Sequence, residues 1–180
     1  MLKRTKIWSF ALLLFTAIFM NCNVHDNKII SKQLFDLNWK FISEDSTSTS
    51  TSAFEIDYDD SNWQNIDLPH KWNNDLESVD SVWYRKHFIV PENWINKHIV
   101  LYFEGISEQN EIRINGNPVE NSLKANNSFQ APINSYLNGT GANVIAVRIE
   151  KSNQQNDLIY AESGIFKHAW LVISNRSNSK

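Results

Sequence analysis

The 180-residue chain has one cysteine, five glycines and four prolines. A lone cysteine excludes an internal disulfide, so the core must rest on apolar burial. So little glycine and proline excludes collagen-like and low-complexity classes. The apolar run Ile7–Met20 has 14 residues, short of the roughly 20 that a membrane helix needs. Helical periodicity of useful length is missing throughout. The five histidines show no metal-ligand spacing. Ser163-Gly164 lacks the glycine two residues earlier that a nucleophile elbow requires, and no glycine-rich phosphate loop is present. No metal and no cofactor are therefore expected.

What is present divides into two parts. Lys3, Arg4 and Lys6 precede the apolar run, and Cys22 follows it. That order reads as an export signal over residues 1–22. A signal ending on a lone cysteine resembles a bacterial lipoprotein signal, with Cys22 as the lipidation site. Phe19-Met20-Asn21 is bulkier than the residues usual there, so an ordinary secretory signal or an uncleaved anchor stays open. On this reading the protein is exported to the cell envelope and meets the membrane through a lipid anchor. Without the three basic residues of the signal, 14 basic residues face 20 acidic ones. That balance, with no Lys/Arg cluster, excludes nucleic acid as a partner.

The whole chain is 42% hydrophobic and rich in aromatics, with seven tryptophans. Residues 23–33 read as a polar tether. Leu34 to Phe41 reads as a first strand, with Leu37, Trp39 and Phe41 on one face. The Ser/Thr run from Asp45 to Ser52 reads as a mobile loop. Asp59-Asp60-Ser61-Asn62 forms a turn, Trp63 anchors it to the core, and Pro69 ends the short strand that follows. Further strands are expected at 82–90, 99–104, 111–114, 129–133 and 143–150. Asn115-Gly116 is the type I′ hairpin signal. The last strand, at Gly164 to Val172, should insert between earlier strands and close a sheet. Gly164 allows positive φ or a close backbone approach. About eight short strands with turn signals between them predict an all-β, antiparallel sandwich.

Four blocks and the closing strand carry a resemblance. They are Asp59-Asp60-Ser61-Asn62-Trp63 with Leu68-Pro69-His70-Lys71-Trp72-Asn73; Trp83-Tyr84-Arg85-Lys86 through Pro91 and Trp94; the hairpin at Asn115-Gly116; Asn143 to Arg148; and Ser163-Gly164-Ile165-Phe166 with Trp170-Leu171. In this order they resemble the jelly-roll-like, galactose-binding-like N-terminal sugar-binding domain of glycoside hydrolase family 2. That family includes β-galactosidases, β-glucuronidases and β-mannosidases. The resemblance spans about 34–174 and leaves 175–180 as a polar tail. It implies an accessory carbohydrate-binding domain. The family's two catalytic glutamates lie on a separate (β/α)₈ barrel, which needs about 250 residues. An immunoglobulin-like domain and that barrel would be a missing or separately encoded partner. The alternative is a surface lipoprotein that binds glycan by itself.

No catalytic residue is expected within the chain. Asn110-Glu111 imitates the family's acid/base dipeptide but falls at the start of a sandwich strand. Asp57, Asp59 and Asp60 lack the glycine and terminal glutamate of a calcium loop. The resemblance implies a substrate-binding role for Asp157, because family members carry an acidic residue just before the closing strand. The position requires a one-residue insertion, and a solvated loop acid is the competing reading. Trp39, Trp63, Trp72, Trp83, Trp94 and Trp170 divide between core and sugar stacking in a way the sequence leaves open.

Overall fold

The computed structural model describes residues 29–45, 51–72, 79–107, 109–120, 123–125, 127–150 and 163–176. Among them are thirteen strands: β1 (Ile29–Leu34), β2 (Trp39–Asp45), β3 (Gln64–Ile66), β4 (His70–Lys71), β5 (Val79–Ile89), β6 (Lys97–Phe103), β7 (Asn110–Ile114), β8 (Asn117–Pro118), β9 (Leu123–Ala125), β10 (Ser128–Pro132), β11 (Ala142–Glu150), β12 (Gly164–Ile165) and β13 (Ala169–Asn175). Eight of these have five or more residues, matching the expected eight, and the other five are two- or three-residue pairings. A pairing that short buries too few side chains to leave a periodic pattern.

Two antiparallel sheets face each other. One runs β1-β13-β6-β10-β9, the other β3-β2-β5-β11-β7-β8, and β12 pairs with β4 apart from both. β13 lies between β1 and β6, so the closing strand does insert where the sequence reading placed it. Between the sheets, Ile99, Leu101, Phe103, Leu171 and Ile173 from one side meet Trp39, Tyr84, Ile112, Ile145 and Val147 from the other. Alternation along each strand sends these residues inward. The hairpin forms at Asn115-Gly116, with φ of 52° and 80°, as a type I′ turn requires.

Two expectations need correction. The expected first strand, Leu34 to Phe41, is broken at 35–38, because the chain there crosses from one sheet to the other: β1 belongs to the first, β2 to the second. Asn38 takes a positive φ of 60° and Leu37 is exposed. Asp36, nearly fully buried, fixes the crossing by accepting the Ala169 N–H at 2.8 Å and bonding the His168 ring at 2.6 Å. The ordered fold also starts before the expected boundary, since 29–33 pair with β13. β1 is an edge strand with mostly exposed side chains, so its sequence shows no alternation.

The six-stranded sheet carries a second, smaller core on its outer face. Phe54, Ala53 and Trp63 of the segment 51–63 cover Trp83 and Ala146 there. Of the expected loop, residues 46–50 lie outside the described residues, while Thr51 and Ser52 begin a 3-10 turn over Thr51–Phe54.

Candidate functional site

The closing strand starts from a crowded point. Gly164 has φ of 116°, and a Cβ on it would lie 2.6 Å from the His70 carbonyl oxygen and 2.7 Å from the Tyr84 hydroxyl. β4 runs alongside, and the Trp72 N–H donates to the Ser163 carbonyl at 3.2 Å. Ser107 binds from the other side: its hydroxyl accepts the Gly164 N–H at 2.8 Å, and its own N–H donates to the Gly164 carbonyl at 3.0 Å. Beneath, the Tyr84 hydroxyl lies 3.0 Å from His70 Nδ1. Burial pushes the Tyr84 phenol up and the His70 imidazole down, so both are neutral in the folded protein at neutral pH.

This framework holds one end of the connection from β11 to β12. At the other end the Glu150 N–H donates to the Gln109 carbonyl at 3.0 Å. Asp157 lies within that connection, and both it and Cys22 lie outside the described residues. Where β11 ends and β7 begins, a cleft of about 320 Å³ is lined by Gln109, Asn110, Glu111, Arg148 and Glu150. Its charges are already matched: Glu111 pairs with Arg113 at 2.7 Å and Glu150 with Arg148 at 2.9 Å. In the 57–60 turn, Asp59 accepts the Ser61 N–H and Asp60 pairs with Arg85. Among the described residues no three His, Cys, Asp or Glu side chains gather as metal ligands.

The tryptophans now sort themselves. Trp39, Trp63, Trp72 and Trp83 are buried, while Trp94 and Trp170 are half-buried. Trp170 stands on the outer face of the five-stranded sheet, directly opposite Tyr102 on β6. Lys32 caps its ring at 3.8 Å, and Glu104 accepts both the Trp170 indole N–H and a Lys32 ammonium hydrogen bond. The ring therefore has protein partners on its face and edge.

A second groove, of about 310 Å³, lies at the opposite end of the sandwich, where β6 begins and β13 ends. His98, Glu120, Pro132, Ser135, Tyr136 and Arg176 line it, with Asn134 at its base. Asn134 is fixed on the backbone of β6, donating to the Lys97 carbonyl and accepting from the Ile99 N–H. The Tyr136 hydroxyl accepts the Glu120 N–H at 2.9 Å. Sequence reasoning missed this groove. It placed Arg176 in a polar tail and 136–137 in a packing turn, and no local pattern joins residues 78 positions apart.

Comparison with known proteins fits this architecture. The family model for the sugar binding domain of glycosyl hydrolases family 2 matches residues 5–174. A β-galactosidase of Thermoanaerobacter pseudethanolicus is 29% identical over 81% of this chain and 21% of its own length. A β-glucuronidase of Formosa agariphila is 28% identical over 68% of this chain and 14% of its own. A calcium-binding mutant of Bacteroides uniformis β-glucuronidase 2 superposes with a TM-score of 0.70 at 26% identity, over 81% of this chain and 18% of that one. The chain thus spans about a fifth or less of the length of these relatives. With the family model matched over nearly its whole length and the sandwich in place, the chain belongs to the sugar-binding domain family of family 2 glycosyl hydrolases.

Proposed function

We propose that this chain is the accessory carbohydrate-binding part of a family 2 glycoside hydrolase, working with a catalytic barrel that lies outside residues 1–180. The observation that carries the reading is coverage. Four-fifths of the chain aligns within only 21% of a β-galactosidase, so the matched relatives hold most of their chain, with room for a barrel, beyond this domain. In this arrangement the sandwich presents the β11–β12 connection to the barrel, and Asp157 accepts hydrogen bonds from sugar hydroxyls there. The support is the rigid seat of Gly164 at one end of that connection and the Glu150–Gln109 bond at the other. The basic residues before Ile7–Met20 and the position of Cys22 support export and lipid anchoring at the cell envelope. Sequencing the gene downstream of codon 180, and its neighbours, tests the reading. A barrel with two catalytic glutamates, in frame or in an adjacent gene, is the expected result. A stop codon in a locus with no such barrel would count against it.

A further inference from the structure

We infer that the groove between β6, β10 and Arg176 is a second carbohydrate site, selective for a carboxylated pyranose such as a uronic acid unit. The inference rests on the proposal that the chain binds carbohydrate. It concerns the end of the sandwich opposite the β11–β12 connection, so it is a separate site from the one proposed for Asp157.

The protein's clefts differ in which polar groups are left unused. In the Gln109 cleft, Glu111 and Glu150 are each bonded to an arginine. On the outer sheet face, Lys32 and Glu104 bond each other and Trp170. In the groove, by contrast, the side chains of Arg176, His98 and Glu120 make no ion pair or hydrogen bond among the described residues. A guanidinium, an imidazole and one carboxylate therefore line one concave surface without partners among the described residues. The surface itself is firm: Asn134 is bonded twice to β6, and the Tyr136 hydroxyl is fixed by the Glu120 N–H. The floor of the groove is thus ordered before binding, while Arg176 and Glu120 are ordered by the ligand at an entropic cost.

The groove's chemistry selects the ligand. A volume of about 310 Å³ is at the small end of ligand sites and suits a sugar unit. The guanidinium of Arg176 offers a planar fork that matches a carboxylate bidentately. Glu120 accepts from hydroxyl donors, and the half-buried ring of Tyr136 offers an apolar face to sugar C–H groups. Glu120 also opposes a phosphate or a nucleotide, whose charge is larger and whose phosphate oxygens need donors only. A ring bearing one carboxylate and several hydroxyls uses both signs of charge in the groove.

Isothermal titration calorimetry on the full 180-residue chain tests this, with methyl β-D-glucuronide and methyl β-D-glucoside as probes. The two differ only by the carboxylate. The glucuronide is expected to bind with Kd on the order of 1 mM, at least about 10-fold tighter than the glucoside. Arg176→Gln should weaken glucuronide binding about 10-fold and leave the glucoside unchanged, while Arg176→Lys should fall between. Arg176 is exposed and makes no ion pair among the described residues, so the thermal melt of Arg176→Gln should match the wild type. Equal affinity for both sugars would overturn the assignment. So would glucuronide binding that survives Arg176→Gln but is lost in Asp157→Asn, although the carbohydrate-binding reading would then stand. No binding of either probe at tens of millimolar would also overturn it, leaving the barrel search as the separate test of the family role.

Discussion

At Gly164 the backbone sits at φ of 116° with a carbonyl and a phenol where a side chain would begin. An alanine must either push β4 and Tyr84 away or abandon the Ser107 bonds. Gly164→Ala should therefore lose about 3 kcal/mol of stability, read from urea unfolding with an unchanged m-value. A midpoint equal to wild type would mean that the crowding is absorbed without cost. The need for glycine here was legible, because a glycine just before a closing apolar strand has few other uses. Its partners were not legible: Ser107 is 57 residues away, and no short-range pattern announces a serine that takes the place of a strand neighbour. The same holds for Asp36. It reads as one polar residue within a strand, and only the fold brings it to Ala169 and His168, more than 130 residues on.

Among the elements, the segment 51–63 shows how a loop can act as a layer. It roofs the outer face of the six-stranded sheet through Phe54 and Trp63, and Arg85 fastens it from below. Arg85 is fully buried; its Nε donates to Asp60 at 2.9 Å and its NH groups reach the carbonyls of Ala53, Glu55 and Tyr58. His87 meets the same Asp60 oxygen at 2.7 Å. Burial pushes the Asp60 carboxyl up, but the hydrogen bonds and charges of Arg85 and His87 outweigh it and hold the group below its ordinary 3.8. A carboxyl depressed in the folded state adds stability above its unfolded pKa, and that stability fades as pH falls through the folded value. Asp60→Asn should thus cost about 3 kcal/mol at pH 7, since it leaves Arg85 buried without its counter-charge. The gap to wild type should narrow below about pH 3.8. A gap of constant size between pH 7 and pH 2.5 would remove the ion pair from the account. The sequence showed the turn and the anchoring Trp63. It did not show the roof, because no local pattern joins Arg85 to Asp60 and the three carbonyls that surround it. Edge strand β1 was missed for the opposite reason, since it is held by backbone pairing with β13 and buries little.

For the molecule as a whole, the question is whether a sandwich of this kind could hydrolyse a glycoside unaided. Glycoside hydrolysis needs two carboxyl groups about 5–5.5 Å or 6.5–9.5 Å apart across one bond. One of them must also be kept protonated by an apolar pocket. The core between the sheets is filled by its own side chains, so any such pair must sit at an edge or in a cleft. One cleft that brings two carboxylates together holds Glu111 and Glu150. Both side chains are substantially exposed, at 44% and 58%, and each pairs with an arginine two positions away along its strand. Neither side chain sits in the apolar, water-excluding pocket that such a pair requires. In the Arg176 groove, Glu120 is the sole carboxylate among the lining residues. The 180-residue chain by itself should therefore leave nitrophenyl β-galactoside, β-glucuronide and β-mannoside at the uncatalysed rate, while sugar binding remains measurable. The assay is release of nitrophenol over hours at pH 5 to 8. Turnover that vanishes in Glu111→Gln or Glu150→Gln would show that the paired carboxylates of the Gln109 cleft exchange their arginines for substrate, and would make this domain an enzyme in its own right.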